Sequence, residues 1–230
     1  MIVITGASGG IGQAILKNLL KIDKVICLYR DESKINPRPS HPNLSFYKLN
    51  LENENEIVKF VNSISFEKIC IIHLAAVYID KLIVNMSVDE LDKHYKVNFR
   101  SIYILVKELL PRMLNTGGNI ILFSSPAVNK GHQGSSAYSS TKSSLEVYSK
   151  VINNEYSKFG IKSSLIVLGY YNCGIYKKLS KKVQKKLLQE TSNDKFSSFN
   201  EITDIIKIIL ESKAPEQLYR LDTNIKYEKN

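Results

Sequence analysis

A glycine-rich turn between an apolar segment and a helical pattern constrains the fold more than any other feature. Residues 1–5 are apolar or β-branched and predict a short buried strand. The turn at residues 5–12 (TGASGGIG) follows, and apolar residues then recur at helical spacing up to Ile22. Glycine lets a backbone approach a diphosphate closely, and the start of the next helix offers it free N–H groups. This order predicts a dinucleotide site, whereas the alternative is a tight turn without a ligand.

The rest of the chain alternates between apolar runs and helical patterns. Further strands are predicted at 24–29, 44–49, 68–74, 119–124, 161–168 and 217–221. Helices are predicted at 54–64, 88–114 with a break near Asn98, 135–159, 176–189, and 200–211 with Asn200 as its cap. Such alternation implies βαβ units, and wholly apolar strands suit a sheet covered on both faces. The sequence therefore predicts an α/β Rossmann fold, a doubly wound parallel sheet of about seven strands with helices on both faces, in one domain over 1–230.

Composition narrows the class of protein. A chain of 230 residues, 43% hydrophobic and 23% charged, fits one soluble α/β domain. No apolar run reaches 18 residues, and the first one leads straight into the glycine turn, so we expect a cytoplasmic protein with no membrane span. The three cysteines and four histidines are scattered without ligand spacing, so neither disulfides nor a metal site is expected.

The formal net charge of +10 admits two interpretations. It can attract nucleic acid or an acidic substrate, or it can reflect a lysine-rich composition along the whole chain. No aromatic stacking platform or recognition motif accompanies the charge, so no nucleic-acid partner is expected.

Tyr138 and Lys142 form a catalytic candidate near the start of the long helix at 135–159. Residues four apart share a helical face, so the ammonium can lie near the phenol and lower its pKa. A phenol with a lowered pKa is a better proton donor and acceptor. Ser125, at the end of the fifth strand, is placed to bond a substrate oxygen, although the adjacent Ser124 could exchange roles with it.

The T-G-x-x-x-G-x-G turn, Ser125 and Y-x-x-x-K together resemble the short-chain dehydrogenase/reductase family, specifically its single-domain branch. The resemblance covers the chain to about residue 223 and implies an oxidoreductase acting on a carbonyl or alcohol. It implies a catalytic tetrad of Asn98, Ser125, Tyr138 and Lys142. Tyr138 would be the acid/base, Lys142 would hold the ribose, and Asn98 would anchor a relay water, with a hydrogen-bonded core asparagine as the alternative. It also implies a homodimer or homotetramer.

The cofactor is predicted to be NADP(H), with NAD(H) the less favoured alternative. An NAD site places an acidic residue after the second strand, where this chain has Tyr29 and then Arg30. Arginine can pair with a 2′-phosphate, although Asp31 and Glu32 follow and Arg30 could be a solvated loop charge. The predicted cofactor-binding residues are Gly6, Ser8, Gly9, Gly10, Ile11, Gly12, Arg30, Asn50, Leu51, Ala75, Ala76, Tyr138, Lys142, Gly169, Tyr171 and Cys173.

Three segments depart from the family pattern or leave the substrate open. His73-Leu-Ala-Ala replaces Asn-Asn-Ala-Gly, with His73 expected to be structural, and resembles enzymes related to sugar-nucleotide epimerases. Cys173 replaces a hydroxyl expected to bond the nicotinamide amide. Residues 174–198 resemble a substrate lid, and the six lysines at 176–189 suit an anionic substrate or only a solvated helix. A 3-oxoacyl-carrier reductase, a surface-sugar reductase and a non-catalytic nucleotide sensor all remain open.

Overall fold

Seven strands form one parallel sheet in this computed structural model, which describes residues 1–35, 39–192, 194–213 and 217–225. Residue 193 of the predicted lid and the last five residues of the predicted domain lie outside that description. The strands are β1 (Ile2–Thr5), β2 (Val25–Tyr29), β3 (Leu44–Lys48), β4 (Ile69–His73), β5 (Gly118–Ser124), β6 (Ile161–Val167) and β7 (Leu218–Arg220). Their order is β3-β2-β1-β4-β5-β6-β7, so the order reverses between β1 and β4. Ligands bind at the carboxyl ends of strands beside such a reversal.

Helices cover both faces of this sheet, as predicted. They are α1 (Gly10–Leu19), α2 (Glu54–Ser63), α3 (Val88–Tyr95), α4 (Ser101–Thr116), α5 (Ala127–Lys130), α6 (Ser136–Tyr156), α7 (Gly174–Lys178), α8 (Lys181–Gln189) and α9 (Phe199–Glu211). Helices α2, α4 and α6 share one buried apolar cluster with the sheet, whereas α1 and α9 share another on the opposite face. All residues of β4 and β5 are buried, which explains why apolar residues dominate both strands.

Two predicted helix boundaries were wrong. The helix predicted at 176–189 is two helices, α7 and α8, because the Ser180 side chain accepts a hydrogen bond from the backbone N–H of Val183 and starts a new helix. Asn200 is not the cap of α9. Ser198 caps it, and the Glu201 carboxylate accepts from the Ser198 backbone N–H, which completes a capping box.

The break predicted near Asn98 is present as a wide π-helical turn, Lys96–Arg100, between α3 and α4. Turns of this kind interrupt the regular ladder of helical hydrogen bonds and often occur at functional sites. Asn98 itself is fully buried there.

Within the described residues, none of the helices combines the length and the apolar character that crossing a membrane requires. The same part of the chain holds no group of three or more His, Cys, Asp or Glu side chains that could bind a metal ion.

Candidate active site

The glycine turn after β1 packs so closely on the backbone around it that Gly6 and Gly12 admit no side chain. Gly6 has a φ of +73°, and a Cβ there would lie 2.6 Å from the backbone nitrogen of Ala75. A Cβ at Gly12 would lie 2.5 Å from the Gly6 carbonyl oxygen. The turn therefore brings bare backbone against the carboxyl end of β4, beside the reversal in strand order.

The start of α1 fits an anionic group. Its cap is Gly9, and among the described residues no side chain bonds to its first N–H groups. No acidic residue lies in its first turn. These N–H groups and the positive end of the helix dipole attract phosphate. Cys173 packs directly over this turn, since a Cβ at Gly10 would lie 2.5 Å from the Cys173 Cβ.

A cavity of about 520 Å³ lies along the carboxyl edge of the sheet above this turn. Every predicted cofactor-binding residue lines it, and so do the catalytic candidates Ser125, Tyr138 and Lys142. Asn98 does not line the cavity. The structure thus brings together the residues that sequence reasoning had selected from eight separate segments, with Asn98 behind them.

Tyr138 lies half-buried near the start of α6, and the Ser125 side chain lies near enough to its phenol to favour the phenolate. Ser124 instead points to α6, where its hydroxyl donates to the Glu146 carboxylate. Ser125 is therefore the serine that reaches the tyrosine. The Tyr78 ring packs edge-on against the Tyr138 ring, with 5.0 Å between their centroids.

The predicted effect of Lys142 on the tyrosine pKa was wrong. Burial raises the pKa of Tyr138 to about 12, although the nearby Ser125 side chain opposes the rise. The Lys142 ammonium lies 5.8 Å from the tyrosine ring centroid and donates to the Phe123 backbone oxygen over 2.9 Å. Burial also lowers the pKa of Lys142 to about 8, so at pH 7 the ammonium is favoured about tenfold over the neutral amine.

Asn98 adopts the arrangement of a hydrogen-bonded core asparagine. Its amide donates to the Val77 carbonyl and to the Thr141 hydroxyl, each over 3.0 Å, and its amide oxygen accepts from the Val77 N–H over 2.7 Å. Its backbone carbonyl oxygen lies 3.3 Å from Nε2 of His73. His73, expected to be structural, is fully buried with both ring nitrogens in hydrogen bonds.

Arg30 lies at the rim of the cavity, just after β2, with an exposed side chain. Its guanidinium forms an ion pair with the Glu52 carboxylate over 3.1 Å. Lys34 also lines this end of the cavity, and Gln13 donates to its backbone oxygen. Two cations therefore lie where a 2′-phosphate is expected, each beside an acidic side chain: Glu52 pairs with Arg30, and Asp31 lies 3.9 Å from the Lys34 ammonium.

Several cavity residues were missed in the sequence. The prominent ones are Lys34, Tyr78, His132 and Tyr170. Lys34 carried a usable signal, because a second cation shortly after β2 strengthens the case for phosphate binding. Tyr78 lies two residues beyond the small Ala75-Ala76 pair, but nothing local shows that its ring turns to Tyr138. His132 and Tyr170 come together only through the tertiary fold, with 3.2 Å between Nε2 and the phenol oxygen.

Comparison with known proteins agrees with this geometry. The family profile described as short chain dehydrogenase matches residues 1–184. This chain belongs to that family. The match includes β1, the glycine turn, Ser125, Tyr138 and Lys142, so the resemblance inferred from the sequence is confirmed.

Similar proteins include two named 3-oxoacyl-(acyl-carrier-protein) reductase FabG. That of Buchnera aphidicola subsp. Acyrthosiphon pisum is 31% identical and aligns over 92% of this chain and 89% of its own length. That of Buchnera aphidicola subsp. Baizongia pistaciae is 28% identical over 92% and 90%. A solved structure described as ElxO with NADP bound has a TM-score of 0.84 and 21% identity, covering 96% of each chain. The family's dehydrogenase fold thus extends over almost the whole chain.

Proposed function

We propose that this protein is an NADP(H)-dependent oxidoreductase that transfers a hydride between nicotinamide and a carbonyl or alcohol. The observation that carries the proposal is that Ser125, Tyr138 and Lys142 line the same cavity as the glycine turn. All seven strands join one sheet, which supports treating residues 1–230 as one catalytic domain.

The residues along the cavity fit a dinucleotide. The glycine turn and the start of α1 would take the diphosphate, and Ala75 and Ala76 leave room for the adenosine ribose. Arg30 and Lys34 would take a 2′-phosphate, consistent with the NADP bound in the structure of ElxO. Gly169, Tyr171 and Cys173 would border the nicotinamide. Bound there, the cofactor supplies or accepts the hydride.

Tyr138 and Ser125 would handle the substrate oxygen. A phenol with a pKa near 12 is protonated at neutral pH, so Tyr138 is ready to donate a proton when a carbonyl is reduced. The Ser125 hydroxyl would bond the same oxygen and stabilise its developing charge. Lys142 would hold positive charge close to the tyrosine. The protonated phenol and the charged amine favour reduction of a carbonyl over oxidation of an alcohol at neutral pH.

A 3-oxoacyl thioester is the substrate class that best combines these observations. The relatives with the name 3-oxoacyl-(acyl-carrier-protein) reductase support it. The six exposed lysines of α7 and α8 form a basic surface beside the cavity mouth, and Lys178 lines the cavity itself. Such a surface would attract an anionic substrate or an acidic carrier.

An NADPH-oxidation assay with acetoacetyl-coenzyme A, ethyl acetoacetate and a keto-sugar tests this function. We expect turnover with the thioester, and a loss of at least about a hundredfold in kcat for Tyr138→Phe because the proton donor is gone. NADPH binding, followed by its fluorescence, should be retained in this variant. A Tyr138→Phe protein as active as the wild type would refute the mechanism. Binding of NADPH without turnover of any substrate would favour the nucleotide sensor, and equal affinity for NADH would refute the cofactor preference.

A further inference from the structure

A buried chain of hydrogen bonds runs through His73, at the carboxyl end of β4. The Ala75 N–H donates to the Thr5 hydroxyl oxygen over 3.2 Å, and Oγ1 of Thr5 lies 2.9 Å from Nδ1 of His73. On the other side of the ring, Nε2 lies 3.3 Å from the Asn98 carbonyl oxygen. Thr5, His73 and Asn98 are each fully buried. The imidazole therefore bridges the glycine turn and the π-helical turn.

The partners of His73 determine which nitrogen carries its proton. The Asn98 carbonyl can only accept, so Nε2 must be the donor on that side. Burial, together with the nearby Lys142 charge, lowers the pKa of His73 to about 3, so the ring is neutral and has a single N–H. Nδ1 is then the acceptor of the Thr5 O–H. Each group therefore donates to the next: the Ala75 N–H to Thr5, the Thr5 hydroxyl to His73, and Nε2 of His73 to Asn98.

Asn98 links His73 to α6, the helix that carries Tyr138. Its side chain holds both backbone groups of Val77, the residue before Tyr78, whose ring packs on Tyr138. It also donates to the Thr141 hydroxyl, which in turn donates to the Tyr138 backbone carbonyl over 2.8 Å. Asn98 is thus hydrogen-bonded to two neighbours of Tyr138: Val77, next to Tyr78, and Thr141 in α6.

We propose that His73 is a positioning residue: by donating from Nε2 to the Asn98 carbonyl, it keeps the Asn98 side chain in the position that aligns Tyr138 with the cofactor turn. It touches neither cavity nor substrate and acts only through Asn98. The proposal rests on the proposed function, because the group it aligns is the proton donor of that reaction. If His73 only filled volume in the core, losing the hydrogen bond of either ring nitrogen would affect catalysis equally.

Two substitutions separate the two ring nitrogens. Counted in bonds from Cβ, the asparagine amide atoms match Nδ1, and the glutamine amide atoms match Nε2. His73→Gln can therefore still donate to the Asn98 carbonyl, whereas His73→Asn can bond only Thr5. With acetoacetyl-coenzyme A and NADPH, we expect His73→Asn to lower kcat about tenfold to a hundredfold, since a small misalignment of catalytic groups costs that much. His73→Gln should stay within about threefold of the wild type, with NADPH affinity similar in both.

Two readouts are independent of turnover. Exchange of the Val77 amide hydrogen, which bonds to Asn98, should accelerate in His73→Asn but not in His73→Gln. The ¹⁵N spectrum of the wild type should show a protonated Nε2 and a bare Nδ1 between about pH 5 and pH 9. Equal losses of kcat in the two folded variants, equal Val77 exchange, or a proton on Nδ1 would each overturn the proposal. A wild type that binds or reduces nothing would overturn the proposed function and leave these two readouts to decide on His73.

Discussion

Lys142 shows most clearly how burial changes a residue's chemistry. Its ammonium lies in a buried position, bonded to a backbone carbonyl, and burial lowers its pKa to about 8. Tyr138 moves in the opposite direction, to about 12, because burial disfavours the charged form of both groups. At neutral pH both groups are therefore protonated, but the pKa of the phenol lies far above the pH and that of the amine lies close to it.

These two pKa values predict how the reductase activity depends on pH. In the proposed mechanism, reduction needs the neutral phenol, present up to about pH 12, and the charged amine, present only below about pH 8. Because kcat/KM reports groups of the free enzyme, we expect it to be level below pH 7 and to fall as pH rises through about 8. Lys142→Arg, whose side chain keeps its charge at high pH, is the matched control. Its residual activity should lose this fall, and a fall that persists would assign the titration to another group.

The sequence predicted single residues well where the chemistry is local. The four-residue spacing of Tyr138 and Lys142 places them correctly whatever surrounds them. The pKa of each depends on burial, and that of Tyr138 also on Ser125 and Tyr78 from other segments, so spacing alone could not give it. The hydrogen-bond partners of Asn98 were likewise out of reach, because Val77 and Thr141 lie 21 and 43 residues away.

At the scale of elements, strands and long helices were predicted to within a few residues because their apolar patterns are strong. The errors lie at helix ends, where one side chain decides the outcome: Ser180 splits the lid helix, and Ser198 rather than Asn200 caps α9. The glycine turn was predicted as a unit because its glycines, the strand before it and the helix after it indicate the same structure.

Replacing Gly6 by alanine tests this turn. We expect Gly6→Ala to weaken NADPH binding at least about tenfold and to destabilise the fold, because its Cβ would press on the Ala75 backbone and its φ is positive. Gly131→Ala is the control, since Gly131 has a φ of +57° but no atom within 4 Å of the added Cβ. It should cost only about 1 kcal/mol of backbone strain and leave binding intact. NADPH titrations and thermal melts of both variants measure these effects. Equal losses of binding in the two variants would show that backbone strain, and not the close approach to Ala75, weakens binding.

At the scale of the whole molecule, an apolar surface extends across α4 and α6. Tyr103, Val147 and Val151 are 48%, 60% and 39% exposed there, beside a concave region that Phe99 and Tyr148 also line. Exposed apolar surface of this kind marks contact sites between proteins. The expected homodimer or homotetramer would cover it, and we propose that two copies meet through this face about a twofold axis.

Val147→Asp tests that arrangement. In a twofold contact each substitution appears twice, so the variant would bury two carboxylates in an apolar interface and should shift the protein towards monomers. Ile208→Asp is the matched control, because Ile208 is 53% exposed on α9, on the opposite face of the sheet. Sedimentation velocity at equal concentrations should show a smaller species for Val147→Asp and an unchanged one for Ile208→Asp, with thermal melts verifying that both remain folded. A Val147→Asp protein that sediments like the wild type would exclude this face as the site of assembly.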